Sequence, residues 1–363
     1  MQIYKEFFLS QDISENILTP RRTDAFDYIF HSRKFIKKCK NTLITTQLRN
    51  KLLQVFHTFE RFYKSLHPMK KLGLFLLCIA VLSLSKATAQ ETLQYNLTQG
   101  QTFKVDQWAV QDFVQVIDNI ESKATNTLTG TFSMTVDQVL EDRYILLSSF
   151  ESIRFKTESE IYGVLNDINT DVSADSLDMQ SKIFKGLLNV PFTIVLLKTG
   201  KVQAVENSSA LVENMIKQSE IEDENVKQLI RDNMEGQFGD SSLASSIEQM
   251  TFLFPIEKVN IGDTWENDYV GDLNAHNVWT LVSYNDNEYV ISGNASVTMK
   301  MDDETGSMTL EGSQTTIATI DSASGLFKEV VVHQNVEGSS VIPDAGNDVM
   351  PTKLSAKITY KRI

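Results

Sequence analysis

From residue 91 onward the chain alternates apolar and polar side chains over short runs, the period-two pattern of strands with one buried face. The runs 93–97, 103–117, 127–140 and 144–156 are rich in Val, Ile, Phe, Tyr and Thr. These residues favour the pleated, half-buried surface of an antiparallel sheet. Gly100 marks one turn, and Glu141-Asp142 joins two of the runs tightly. A polar connection is expected over 166–175.

The period then changes. Met179, Ile183, Phe184, Leu187 and Leu188 share one helical face within 177–188, and Asn189-Val190-Pro191 stops the helix. A hairpin follows, 192–197 and 202–205 about Thr199-Gly200. Three amphipathic helices come next, carrying Leu211, Val212, Met215 and Ile216, then Val226, Leu229, Ile230 and Met234, then Leu243, Ile247 and Met250. Asn207-Ser208-Ser209 supplies N-cap chemistry for the first of them. After Phe252-Leu253-Phe254-Pro255 the chain reads as a meander, with strands at 265–270, 278–284, 289–301, 307–320, 327–336 and 353–360. Polar turns at 285–287, 302–306 and 322–325 separate them.

This order predicts an α+β fold, mainly antiparallel β. The sheet curls, or forms a half-barrel, and the helices inserted at about 208–250 pack on its concave apolar face as a lid. No Pro-rich or low-complexity linker divides 90–363, so a single β-rich domain is expected there.

A different pattern precedes that domain. Met69-Lys70-Lys71, an uncharged run from Leu72 to Ser85 and Ala87-Thr88-Ala89 compose a secretory signal, with cleavage expected after Ala89. The run is short for a membrane span, which needs about 20 apolar residues. A signal starting at residue 69 makes 1–68 a misassigned N-terminal extension. The weaker alternative is a basic cytoplasmic tail on a type II membrane protein.

Charge sharpens this division. The whole chain is −13, yet residues 90–363 keep 19 of its 34 basic and 41 of its 47 acidic residues, a net of −22. Such a field repels nucleic acid and anionic lipid. Both cysteines, Cys39 and Cys78, lie before the cleavage site. The mature chain therefore lacks disulfides, thiol nucleophiles and thiolate metal sites. Only His276 and His333 remain as histidines beyond it. No Gly-x-Ser-x-Gly elbow and no phosphate-cradling glycine loop occurs.

Three segments carry a resemblance: Thr199-Gly200-Lys201-Val202, Phe254-Pro255 through Val259 to Gly262-Asp263-Thr264-Trp265, and Ile320-Asp321 to Gly325-Leu326. With the Met69 signal they resemble secreted or periplasmic proteins of Bacteroidota, an uncharacterised family known as a domain of unknown function. The resemblance covers most of 91–363 and brings no catalytic residues. As fold analogy, the layout also resembles lipoprotein-carrier half-barrels, which hold acyl chains under helices.

Candidate chemistry is sparse. Asp167, Asn169, Asp171, Asp175 and Asp178 occupy oxygen-ligand positions of an EF-hand-like calcium loop. Val172 replaces its turn glycine and Asp178 its bidentate glutamate, so a solvated acidic loop is the simpler reading. Trp108, Phe113, Trp265 and Trp279 are candidates for a ligand cavity, against the commoner role of core packing. The leading expectation is an exported, periplasmic or secreted envelope protein that binds a hydrophobic ligand or an envelope protein partner without catalysis or a cofactor. A carboxylate-dependent hydrolase of envelope polymers and a structural or adhesive domain are the alternatives.

Overall fold

A computed structural model of the chain describes residues 90–117, 120–172, 179–303, 306–341 and 348–363. Residues 1–89, where the extension, the signal and its cleavage site are expected, lie outside the described residues, as do both cysteines. Four long strands open and close the chain: β1 (Thr102–Ile117), β2 (Ile120–Val139), β3 (Arg143–Ser159) and, at the C-terminus, β12 (Val349–Arg362). Between them come β4 (Gly163–Asn169), β5 (Phe192–Leu197) and β6 (Val202–Glu206), then β7 (Thr264–Tyr269) through β8 (Leu273–Tyr284), β9 (Glu288–Asp303), β10 (Gly306–Asp321) and β11 (Phe327–Val341). Helix α1 (Met179–Lys185) precedes β5. Helices α2 (Ser209–Gln218), α3 (Glu224–Phe238) and α4 (Asp240–Thr251) form the insertion between β6 and β7.

All twelve strands join one antiparallel sheet in the order β6-β5-β3-β2-β1-β12-β11-β10-β9-β8-β7, with β4 also on β3. The sheet curls without closing. Sequence neighbours pair through short turns, and the last strand returns beside the first, so β1 lies between β2 and β12. The alternation read from the sequence sets the curl's two faces. Phe103, Val105, Ala109 and Phe113 of β1 point inward, as do Leu354, Ala356 and Tyr360 of β12. Burying such apolar area contributes about 25 cal/mol per Å².

Helix α4 packs against β6 and also touches β7, the two edge strands. Leu243, Ile247 and Met250 of α4 are buried. Helix α2 buries Leu211, Val212, Met215 and Ile216. Helix α3 forms an outer layer on α2, and only Met234, Gln237 and Phe238 near its C-terminus are buried.

Several boundaries differ from the sequence reading. The polar connection expected from residue 166 begins instead as β4, paired with β3 and clamped by Arg154, which donates to both carboxylate oxygens of Asp167 at 3.0 and 2.9 Å. The run 93–97 joins no ladder, because its backbone bonds loops: Tyr95 N donates to Lys198 O and Asn96 N to Ser324 O. Ser208 precedes α2 in helical conformation and gives no side-chain cap. Its own N–H donates to Asp240 Oδ1 at the start of α4. Asp223, by contrast, caps α3 by accepting from Asn225 N and Val226 N.

Candidate functional site

The space between the concave face and the helices is not completely filled. Phe150 of β3 stacks on Phe192 of β5 at 5.7 Å and meets Phe238 of α3 edge-on at 6.3 Å. Phe184 of α1 meets the same Phe238 ring at 6.0 Å. Beside this cluster lies a cavity of about 70 Å³, walled also by Phe132 and Phe155. A second cavity of about 90 Å³ shares Gln107, Leu128, Phe132 and Phe150 with the first and runs beneath α4 to Ile358 and Tyr360. A third, of about 20 Å³, shares Gln111, Gln249, Ile358 and Tyr360 with the second and reaches Gln314 and Gln334. The three form one series under the lid.

Strand register builds the polar part of this interior. Thr157 lies opposite Asn126, Asn126 opposite Gln111 and Gln111 opposite Ala356. Ala356 lies opposite Gln334, Gln334 opposite Gln314 and Gln314 opposite Ala295. Ala295 in turn faces Asn277, and Asn277 faces Asn267. A single row thus crosses nine strands of the concave face, mostly in uncharged amides, with alanines at two places. Two neighbouring pairs bond one another. Thr157 donates to Asn126 Oδ1 at 2.8 Å, and Asn277 Nδ2 to Asn267 Oδ1 at 3.1 Å. Trp279 Nε1 also donates to Asn267 Oδ1, at 3.0 Å. A row of this kind leaves no trace in any one strand beyond a Gln or Asn at an apolar position.

The three segments singled out in the sequence converge elsewhere, around Tyr95. Gly200 (φ +90°) and Gly325 (φ +70°) let backbone pass close to it. A Cβ on Gly200 would strike the Thr251 carbonyl and the Tyr95 ring, and one on Gly325 the backbone of Gln94 and Tyr95. Tyr95 OH donates to Thr251 O at 3.2 Å, its carbonyl accepts from Tyr144 OH at 2.9 Å, and its ring lies 5.0 Å from that of Phe254. Burial pushes this phenol far above the usual tyrosine range. These segments hold the two sheet edges and the end of α4 together. On their outer side lies an open groove of about 1190 Å³ lined by Thr199, Lys201, Phe254, Pro255 and residues 262–265, with Ile256 89% exposed beside them.

The four aromatic candidates are not brought together. Trp108 is 60% exposed, on the outer face. Phe113 and Trp279 are buried in the sheet's inner face, and Trp265 borders the outer groove with its Nε1 donating to Leu253 O at 3.0 Å. None of the four lines the inner cavities. Of the calcium candidates, Asp167 and Asn169 lie on β4 and Asp171 just beyond it; Asp171 N donates to Asn169 Oδ1 at 3.0 Å. Asp175 and Asp178 fall outside the described residues. The Arg154 guanidinium holds the Asp167 carboxyl below the usual carboxylate range. Among the described residues no group of three His, Cys, Asp or Glu side chains is placed to hold a metal ion.

Among the described residues, no acidic or basic side chain lines the inner cavities. Tyr360, a readily ionisable group lining two of them, is pushed up to about 12 by burial. Glu248 of α4 turns the other way, accepting from Val202 N at 3.0 Å. Partial burial raises its carboxyl pKa. The cavity-lining residues escaped the sequence reading because phenylalanines on alternating strands look like core. Only the helices' place over β3 and β5 separates core from cavity wall.

No curated protein matches the chain. Among solved structures, it is similar to lipovitellin, described for its lipid–protein interactions, at 9% identity and TM-score 0.43; 74% of this chain is covered and it spans 25% of that one. It is also similar to an outer membrane channel from Pseudomonas putida F1, at 7% identity and TM-score 0.22, covering 74% of this chain and 97% of that one. A third similarity is to Salmonella typhi OmpF in complex with daunomycin, at 8% identity and TM-score 0.20, with 74% and 100% covered. At these scores the likenesses carry no statement about activity or ligand. A family model matches residues 141–327, from the β2–β3 turn to the first residue of β11, and takes in all four helices and the three segments about Tyr95. The chain belongs to this family, the family of unknown function DUF6263.

Proposed function

We propose that this chain is an exported, non-enzymatic binding protein that holds an apolar ligand between its curled sheet and its helical lid. The observation that carries the reading is the series of cavities under the helices, walled by Phe132, Phe150, Phe155, Phe184 and Phe238. Ligand sites are concave, mostly apolar and furnished with few polar groups. The cavities as they stand suit a small group. A longer chain enters by displacing α3, which meets the interior only through its C-terminal turns. The signal-like run from Met69 and the acidic mature chain support export to the periplasm or beyond, in a bacterium of the Bacteroidota.

Two measurements test this. Protein purified without detergent is expected to release an apolar small molecule in native mass spectrometry and to raise the fluorescence of the neutral apolar probe N-phenylnaphthylamine. Absence of both, with a Phe238→Arg variant indistinguishable from the wild type, sinks the reading. N-terminal sequencing of the natural protein is expected to begin at Gln90; peptides from residues 1–68 overturn the export proposal.

A further inference from the structure

Resting on that reading of the cavities, we infer that the ligand is an amphiphile with an uncharged, hydrogen-bonding head group (a hydroxyl, ester or amide), seated in the middle cavity with its tail toward the phenylalanine cluster. The series of cavities is chemically graded. Its first member is walled by five phenylalanine rings beside Leu128 and Ile153, with Gln107, Thr129 and Gln237 also lining it. The middle one adds Ser148, Ser246 and Gln249, and the third ends among Gln314 and Gln334.

Two of these groups are poorly satisfied. Ser148 is 2% exposed, and its hydroxyl has no hydrogen-bonding partner among the described residues. Leaving such a donor unpaired is costly, and a ligand oxygen beside it removes that cost. Gln334, also buried, donates its amide N–H to the Met299 sulfur at 3.7 Å, and a thioether is a weak acceptor. Selectivity follows from what is missing as much as from what is there. Among the described residues, no Lys, Arg, His, Asp or Glu side chain lines any of the three cavities. An ionised carboxylate, phosphate or ammonium placed there stands unpaired in a medium of low polarity, far more costly than burying a neutral group.

The test displaces N-phenylnaphthylamine at neutral pH with octanol, octanoate and octylammonium, which share one tail and differ in head charge. Octanol is expected to act at a concentration about tenfold lower than either ion. In Ser148→Ala and Gln249→Met the octanol requirement rises several-fold, while probe affinity is unchanged and the melting temperature of Ser148→Ala stays level or rises. Octanoate or octylammonium acting as well as octanol overturns the neutral head group and leaves the apolar-ligand reading standing. Unchanged octanol binding in both variants overturns it equally. Failure of the wild type to bind the probe overturns the reading itself, and this inference with it.

Discussion

Gly293 of β9 lies opposite Trp279 of β8, and the Trp279 ring covers the place where a side chain would stand. A Cβ there would come within 2.5 Å of the ring, which is buried and tethered through Nε1 to Asn267. Gly293→Ala is therefore expected to destabilise the protein by about 1–3 kcal/mol in urea unfolding; a change below about 0.5 kcal/mol, the range of a surface substitution, would show that the ring moves freely. Gly200→Ala is expected to be worse, because backbone rather than side chain stands in the way and φ is positive. The hairpin at Thr199-Gly200 was legible from its residues alone; the contact with Thr251 was not.

His276 gives a residue-scale test of charge. Its Nδ1 lies 2.8 Å from Asp268 Oδ1 across β7 and β8, and that hydrogen bond raises the imidazole pKa above 6.5. A raised pKa means that the protonated pair's stabilisation is present below pH 6.5 and is lost as pH climbs through the folded-state value. An NMR titration of His276 is expected to give a midpoint above 6.5 in the wild type and a lower one in Asp268→Asn. Equal midpoints would remove Asp268 as the cause.

At the scale of elements, α3 is the least committed part of the fold. Leu229 is 62% exposed, the helix packs mainly on α2 and meets the sheet through Phe238 near its end, and its start rests on the Asp223 cap. Hydrogen exchange is expected to be faster along α3 than along α4 or β1. Asp223→Ala removes about 1 kcal/mol of capping. It should speed exchange in α3 and the arrival of an apolar probe, with the sheet's protection unchanged; uniform acceleration throughout the protein would mean that α3 is no separate lid.

The helices were legible because their apolar residues recur at the helical period. Strand β4 was not: Asn166, Asp167 and Asn169 are poor strand formers, and the ladder exists because β3 and Arg154 hold it there. Trp108 shows the same limit. Its composition offered a cavity aromatic, but register turns it to the outer face.

For the whole molecule, burial of tyrosines sets an alkaline limit. Tyr95, Tyr269 and Tyr289 are held far above their ordinary value of 10.0 and Tyr360 at about 12, all chiefly by desolvation. The folded state keeps these protons where the unfolded chain releases them. Stability is therefore full below pH 10 and falls as pH rises through the Tyr360 value of about 12. Melting temperature is expected to drop steeply across that window, and less steeply in Tyr360→Phe. A flat profile would contradict the burial of these phenols.

The sequence by itself determined most of the strands, the helical insertion, the hairpin turns and an antiparallel architecture, because each follows from side-chain period and turn chemistry within a few residues. Tertiary structure alone decided the strand order, the amide row across the sheet and the cavities beneath the lid. These depend on register between distant strands, as when Gln115 of β1 donates to Ser340 of β11 at 2.8 Å. Pairing of that kind selects which residues share a level of the concave face, and a local pattern carries no information about it.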